Sequence, residues 1–150
     1  SNTLEERKIF AQETDIMIEK IHNKGAEAAL YMIHAYVEPH EDTNPNMIKD
    51  IKMMYIDVAN KNNILVMPVG IAFENAYKEK PKIQLHKHYD GTHPSLLGTY
   101  LAAAVVFSSI TQVSPKNIEY NYFDAIDDSD LEFLQKIAHD TVEDFYDIDL

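Results

Sequence analysis

At 150 residues the chain is long enough for one domain, and a 45% share of hydrophobic residues excludes a disordered polypeptide. A formal net charge of −12 argues against nucleic acid or an anionic membrane as partner, because phosphate recognition needs clustered Lys and Arg. Without cysteine there are no disulfides and no thiolate metal sites; no apolar run has membrane-spanning length, and no signal-peptide pattern opens the chain, which leaves export and compartment open.

Ser1-Asn2 reads as a cleavage scar or the start of a trimmed chain. Phe10, Met17, Ile18 and Ile21 then recur at helical spacing and predict a helix over about 4–23, closed by Gly25. Residues 28–37 form a continuous apolar run without period-two alternation, the pattern of a strand buried on both faces. His34 and Tyr36, near its C-terminal end, are candidates for lining a cleft, with core or boundary packing as the plainer reading. Asn44-Pro45 predicts an N-cap and first-turn proline for a helix whose buried stripe is Ile48, Ile51, Tyr55 and Val58, stopped at 60–63. A second strand over 64–69 and a short helix from Ile71 to about Lys78 follow. An extended stretch over 84–89 leads into a turn and then an apolar helix over 94–109. The box Ser129-Asp130-Leu131-Glu132 predicts the start of a last helix through Leu134, Ile137, Val142 and Phe145. Here Asp124, Asp127, Asp128, Asp130, Glu132, Asp140, Glu143, Asp144, Asp147 and Asp149 accompany only Lys136. That acidic run reads as a solvated helix face, since no calcium-loop spacing with a central Gly is present; a cation-binding or partner-docking tail is the alternative. Strands alternating with helices predict a parallel sheet in an α/β architecture, with no internal domain boundary.

The turn before the apolar helix, Asp90-Gly91-Thr92-His93-Pro94-Ser95, carries the chemistry. A catalytic histidine needs one ring nitrogen free for the nucleophile and the other held by an acceptor that fixes tautomer and orientation, a task suited to Asp. Gly91 permits a tight turn that brings Asp90 to His93, and Pro94 suits the first helical position. The helix N-terminus lowers the imidazole pKa while Asp90 raises it, so a neutral base near pH 7 is expected. Asp90 and Thr92 also read simply as turn and capping residues. No serine here has the context of a nucleophile: Ser95 falls in the first helical turn and reads as a cap, and Ser108, Ser109 and Ser114 occupy helix-boundary positions. His86, His88 and Asp90 alternate, so on an extended strand they would share a face and, with His93, could gather around Zn²⁺.

The stretch Pro94-Ser95-Leu96-Leu97-Gly98-Thr99-Tyr100-Leu101-Ala102-Ala103-Ala104-Val105, with Asp90-x-x-His93-Pro94 before it, resembles the last conserved block of SGNH (GDSL-type) hydrolases and the small-residue helix after it. Ile64-Leu65-Val66-Met67-Pro68-Val69-Gly70-Ile71-Ala72-Phe73 resembles the strand and turn preceding that block in bacterial members, and Ala29-Leu30-Tyr31-Met32 the strand before that. The resemblance spans roughly residues 9–115 and is specific around 90–105. It implies a three-layer α/β/α fold with a flavodoxin-like parallel sheet, of which residues 3–150 are the C-terminal part of a single domain, incomplete at its N-terminus. It also implies serine-dependent hydrolysis of a small-molecule or carbohydrate ester without a cofactor, with His93 as base and then acid and Asp90 orienting it. The family's Gly-Asp-Ser and Gly-x-Asn-Asp blocks cannot be written onto a chain whose glycines are Gly25, Gly70, Gly91 and Gly98. The nucleophile and oxyanion hole are therefore expected in a preceding portion, which, or else a second copy of the chain, would cover the exposed sheet edge. Two rival readings stand beside this one: a non-catalytic binding or interaction module, and a metal site built on His86, His88, Asp90 and His93.

Overall fold

The computed structural model describes residues 4–150; the expected domain start at Thr3, with Ser1 and Asn2 before it, lies outside the described residues. The chain is a mixed α/β structure, mostly helical: α1 (Leu4–His22), β1 (Ala29–Tyr31), α2 (Met47–Asn62), β2 (Leu65–Met67), α3 (Val69–Glu79), α4 (Leu96–Thr111) and α5 (Asp128–Tyr146). The two strands pair in parallel, Ala29 with Leu65 through Tyr31 with Met67, with α2 as the crossover.

Both strands are shorter than the apolar runs that predict them, and β1 is not buried on both faces. Ala28 and Met32 turn inward, whereas Tyr31 and Ile33 remain 40% and 42% exposed. The reason is the sheet's width. Among the described residues β1 has β2 as its single strand neighbour, so the hydrogen bonding that would continue the ladder over 32–37 has no strand to go to. The run instead leaves the sheet through Met32, whose N–H donates to the Met67 carbonyl at 3.0 Å and whose carbonyl accepts from Gly70 N–H at 3.0 Å. The opposite edge is finished differently: the Tyr146 hydroxyl, at the end of α5, donates to the Val66 carbonyl and accepts the Val66 N–H at 3.2 Å.

Apolar side chains gather in connected clusters. Met32, Val66, Met47, Ile51, Tyr55 and Ala59 join the strands to α2, and Ile18, Ala28 and Val58 extend this packing to α1. The larger cluster holds α3, α4 and α5 together through Phe73, Leu85, Leu101, Val105, Leu134, Ile137 and Val142. Caps differ in detail from their sequence signals. Asn44 forms a side-chain turn to the Asn46 N–H at 2.8 Å, and α2 starts beyond it. For α5 the N-cap is Asp127, whose carboxylate accepts the Asp130 N–H at 2.9 Å, two residues ahead of Ser129. The acidic C-terminal stretch meets lysines from other elements as well: Asp130 pairs with Lys80, and Asp140 with Lys116 and Lys136. Among the described residues no helix is long and apolar enough to cross a membrane.

The N-terminus of α4 seats against the core by backbone contact. A Cβ on Gly98 would lie 2.1 Å from the Leu85 carbonyl oxygen and 3.0 Å from Phe73 Cζ. Alanine exceeds glycine in helix propensity by about 1 kcal/mol, but here the clash with a fixed carbonyl outweighs that gain. Gly98→Ala is expected to destabilise the protein by about 2 kcal/mol. Chemical denaturation checks this, and a variant as stable as wild type would show that the contact is not tight.

Candidate active site

Residues 84–95 form a loop pinned at both ends. His86 and Pro94 make an antiparallel bridge, Lys87 N–H donates to the His93 carbonyl at 2.8 Å, and Ser95 N–H donates to the Leu85 carbonyl at 2.8 Å. At the tip, Gly91 adopts φ +66°, and a Cβ there would lie 2.0 Å from the Val37 carbonyl oxygen. Only glycine combines that conformation with so close an approach. The same contact is hydrogen-bonded, Val37 N–H donating to the Gly91 carbonyl at 2.9 Å, which docks the turn onto the segment beyond β1.

Within this frame Asp90 and His93 meet. One carboxylate oxygen of Asp90 accepts the backbone N–H groups of Thr92 and His93 at 2.9 and 3.0 Å, and the other lies 2.9 Å from His93 Nδ1. The backbone N–H groups of His93 and Thr92, with the His93 ring adding to them, hold the Asp90 carboxyl down at about 2. Because Nδ1 faces the carboxylate, Nε2 is the outward nitrogen of a side chain that is 69% exposed. Asp90 thus serves as turn-former and as partner of the imidazole at once. Ser95 is fully engaged as a cap: its hydroxyl donates to the Gln84 carbonyl at 2.6 Å and accepts the Gly98 N–H at 3.2 Å.

The four groups His86, His88, Asp90 and His93 do not converge. The extended stretch ends at Lys87, where Asp90 and Gly91 N–H groups turn back to the Lys87 carbonyl, so His88 is carried to the surface while His86 stays buried. Both His86 ring nitrogens are occupied, Nδ1 by the Tyr77 hydroxyl at 2.7 Å and Nε2 by His34 Nδ1 at 2.9 Å. Among the described residues no group of three or more His, Asp or Glu side chains is arranged to hold a metal ion. Burial, reinforced by repulsion from His34, pushes the His86 imidazole down to about 4; burial likewise lowers His34, and positive charge on His93 adds to that.

His34 and Tyr36 are partly buried at the edge of the core and border space as well. His34 stacks on Phe73 with ring centroids 4.5 Å apart and borders a small cleft with Arg7 and Tyr36. A cavity of about 260 Å³ lies behind, lined by Tyr36, Phe73, Tyr77 and His86 among others. The part played by Tyr77 has no local signal in the sequence, because its partner is nine residues away across a loop. Sequence reading also passes over a second serine–histidine–carboxylate run. Ser114 Oγ lies 3.0 Å from His139 Nδ1, and His139 Nε2 lies 3.3 Å from Glu143. Its i,i+4 half was legible on a predicted helix; its serine was not. That serine also accepts the Lys116 N–H at 3.2 Å, His139 is 8% exposed, and the 16 residues of α4 separate Ser114 from the His93 turn by about 24 Å. The run secures the loop after α4 to α5.

The fold and site define a mixed α/β protein whose helix-initiating turn bears an exposed, carboxylate-oriented histidine, with a second pair of histidines, His86 buried and His34 partly buried, in the same region. No protein-family model matches the chain, and no curated protein does. Among solved structures, the crystal structure of a DUF4886 family protein from Bacteroides uniformis ATCC 8492 is similar with a TM-score of 0.71 at 21% identity, over 83% of this chain and 51% of that one. That likeness is one of fold, and the chain spans about half the length of that protein.

The sign of the Asp90 effect follows from its lowered pKa. A carboxyl at about 2 in the folded protein against an ordinary 3.8 contributes stability above pH 4, which is lost as pH falls towards 2. The melting-temperature gap between wild type and Asp90→Asn should therefore be present at pH 5–7 and narrow between pH 4 and 2. A gap that stays constant down to pH 2 would mean that the carboxylate is not held as described.

Proposed function

We propose that this chain is the His–Asp-bearing part of an SGNH-type serine ester hydrolase with a three-layer α/β/α fold. His93 is the general base and then the general acid, Asp90 its orienting carboxylate, and the substrate a small-molecule or carbohydrate ester. The observation that carries the reading is the 2.9 Å contact of Asp90 with His93 Nδ1, which leaves Nε2 outward on an exposed ring. A cap alone needs only the first carboxylate oxygen and the two backbone N–H groups; the second oxygen on the imidazole is what a catalytic histidine requires.

The chain's serines support a nucleophile supplied from outside it. Ser95 is spent on capping, and Ser114 sits on an enclosed histidine at the far end of α4. A preceding segment would bring the nucleophile and oxyanion hole to the C-terminal ends of β1 and β2, where open parallel sheets bind ligands. The same segment would cover the unpaired side of β1.

The test uses the 150-residue chain and, beside it, the chain joined to whatever its reading frame encodes ahead of it. The longer protein is expected to hydrolyse p-nitrophenyl acetate and to lose about 10³-fold or more of kcat/KM in His93→Ala. The 150-residue chain alone should resist a fluorophosphonate. Labelling of that chain at Ser114 or any other serine would place the nucleophile inside it, and undiminished hydrolysis by His93→Ala would remove His93 as the base.

A further inference from the structure

The 260 Å³ cavity lies on the C-terminal side of the parallel pair, between the segment that follows β1 and the first turns of α3, which follows β2. Open parallel sheets bind ligands on that side. The lining grades outward: Phe73 is 2% exposed, Tyr36, Tyr77 and Glu74 are partly buried, and Glu38 is exposed. Its walls are held by bonds of their own. Tyr36 N–H donates to Met47 Sδ at 3.2 Å, the Tyr36 ring lies against His40 with centroids 4.1 Å apart, and the Tyr77 hydroxyl is 2.7 Å from His86 Nδ1. A wall fixed in this way spares a ligand the cost of ordering it.

Charge in this cavity has one sign. Glu38 and Glu74 line it, and among the described residues no lysine or arginine does. Lys78, outside the lining, reaches Glu74 at 3.3 Å, but as a solvent-exposed i,i+4 pair it holds that carboxylate weakly. His86 adds no positive charge at pH 7, because burial and then repulsion from His34 push its imidazole down to about 4. An anion would look instead to the N-terminus of α3, whose Gly70 lines the cavity, and would find those donors used. Gly70 N–H goes to the Met32 carbonyl at 3.0 Å, and the Ile71 and Ala72 N–H groups go to the Pro68 carbonyl at 3.1 Å. A cation finds two carboxylates with aromatic rings beside them, in a cleft where a single sign of charge is focused rather than screened.

We propose that this cavity binds a small organic ammonium ion, its apolar body against Phe73, Tyr36 and Tyr77 and its charged nitrogen at Glu38 and Glu74. The volume suits a ligand below drug size. The assignment does not draw on the hydrolase reading, and binding alone decides it.

Three probes of one shape and different charge test it: benzylammonium, benzyl alcohol and benzoate. Each is titrated at pH 7 into the isotope-labelled 150-residue protein and followed through backbone amide shifts. Benzylammonium is expected to shift amides of residues 35–38 and 70–77 with a Kd of about 1 mM, benzyl alcohol to bind about tenfold more weakly, and benzoate to leave those amides unmoved. Glu38→Gln and Glu74→Gln should each weaken benzylammonium about threefold, and Tyr36→Leu, which keeps an apolar wall without a π face, by a similar factor. No shift at these residues up to about 20 mM benzylammonium overturns the site. Shifts confined to the acidic face of α5, or affinity undiminished in both glutamine variants, mean diffuse attraction to a chain of net charge −12 and overturn it too. Benzyl alcohol or benzoate bound as tightly as benzylammonium overturns the ligand class.

Discussion

Two carbonyl oxygens, of Val37 and Leu85, lie where a β-carbon would have to be, and the site depends on both contacts. Gly91 meets the first and Gly98 the second. Between them residues 91–98 contain the exposed histidine, the helix cap and the first turn of α4. Contact between backbones leaves no side-chain rotamer to absorb displacement, so the loop cannot shift relative to the segment after β1 without breaking hydrogen bonds. This is how a turn with a largely solvent-exposed histidine keeps a defined geometry: its rigidity comes from below, through the glycines, rather than from packing around the ring.

The same frame explains why a buried imidazole, His86, and a partly buried one, His34, are tolerated. Taking the rings of His34 and His86 and the phenol of Tyr77 out of water costs about 1–3 kcal/mol for each polar group left unpaired. All three have partners, and burial lowers the pKa of both histidines, which favours the neutral rings over buried charge. Apolar residues of similar volume would hold the core together as well. What they could not do is hold hydrogen-bonding groups in fixed positions at its edge.

The extent to which the sequence announces this arrangement varies with how local each feature is. The Asp90–His93 contact, the Ser95 cap and the stripe of α2 that buries Ile51, Tyr55 and Val58 arise from neighbours within a few residues, and their spacing is legible. The lengths of the strands are not, because a strand ends where its partner does; residues 28–37 are largely apolar, with His34 the exception, yet three of them pair. Asp127 rather than Ser129 caps α5 because both residue types suit the position and tertiary packing chooses the register. His86 seemed grouped with His88 by alternation, but alternation has meaning only while the chain stays extended, and it turns after Lys87. The partnership of His34 with His86 joins residues 52 apart, beyond any local pattern.

The phenol of Tyr146 on the backbone of Val66 has a consequence for association. A ribbon of strands polymerises when it offers complementary edges on both sides, each new molecule presenting a fresh edge for the next. Here one edge is occupied by a side chain of the molecule's own last helix. Strand addition is confined to β1, and two molecules joined through that edge would present nothing further. Growth by this route terminates at a pair, and the tyrosine acts as a chain stopper against open-ended aggregation.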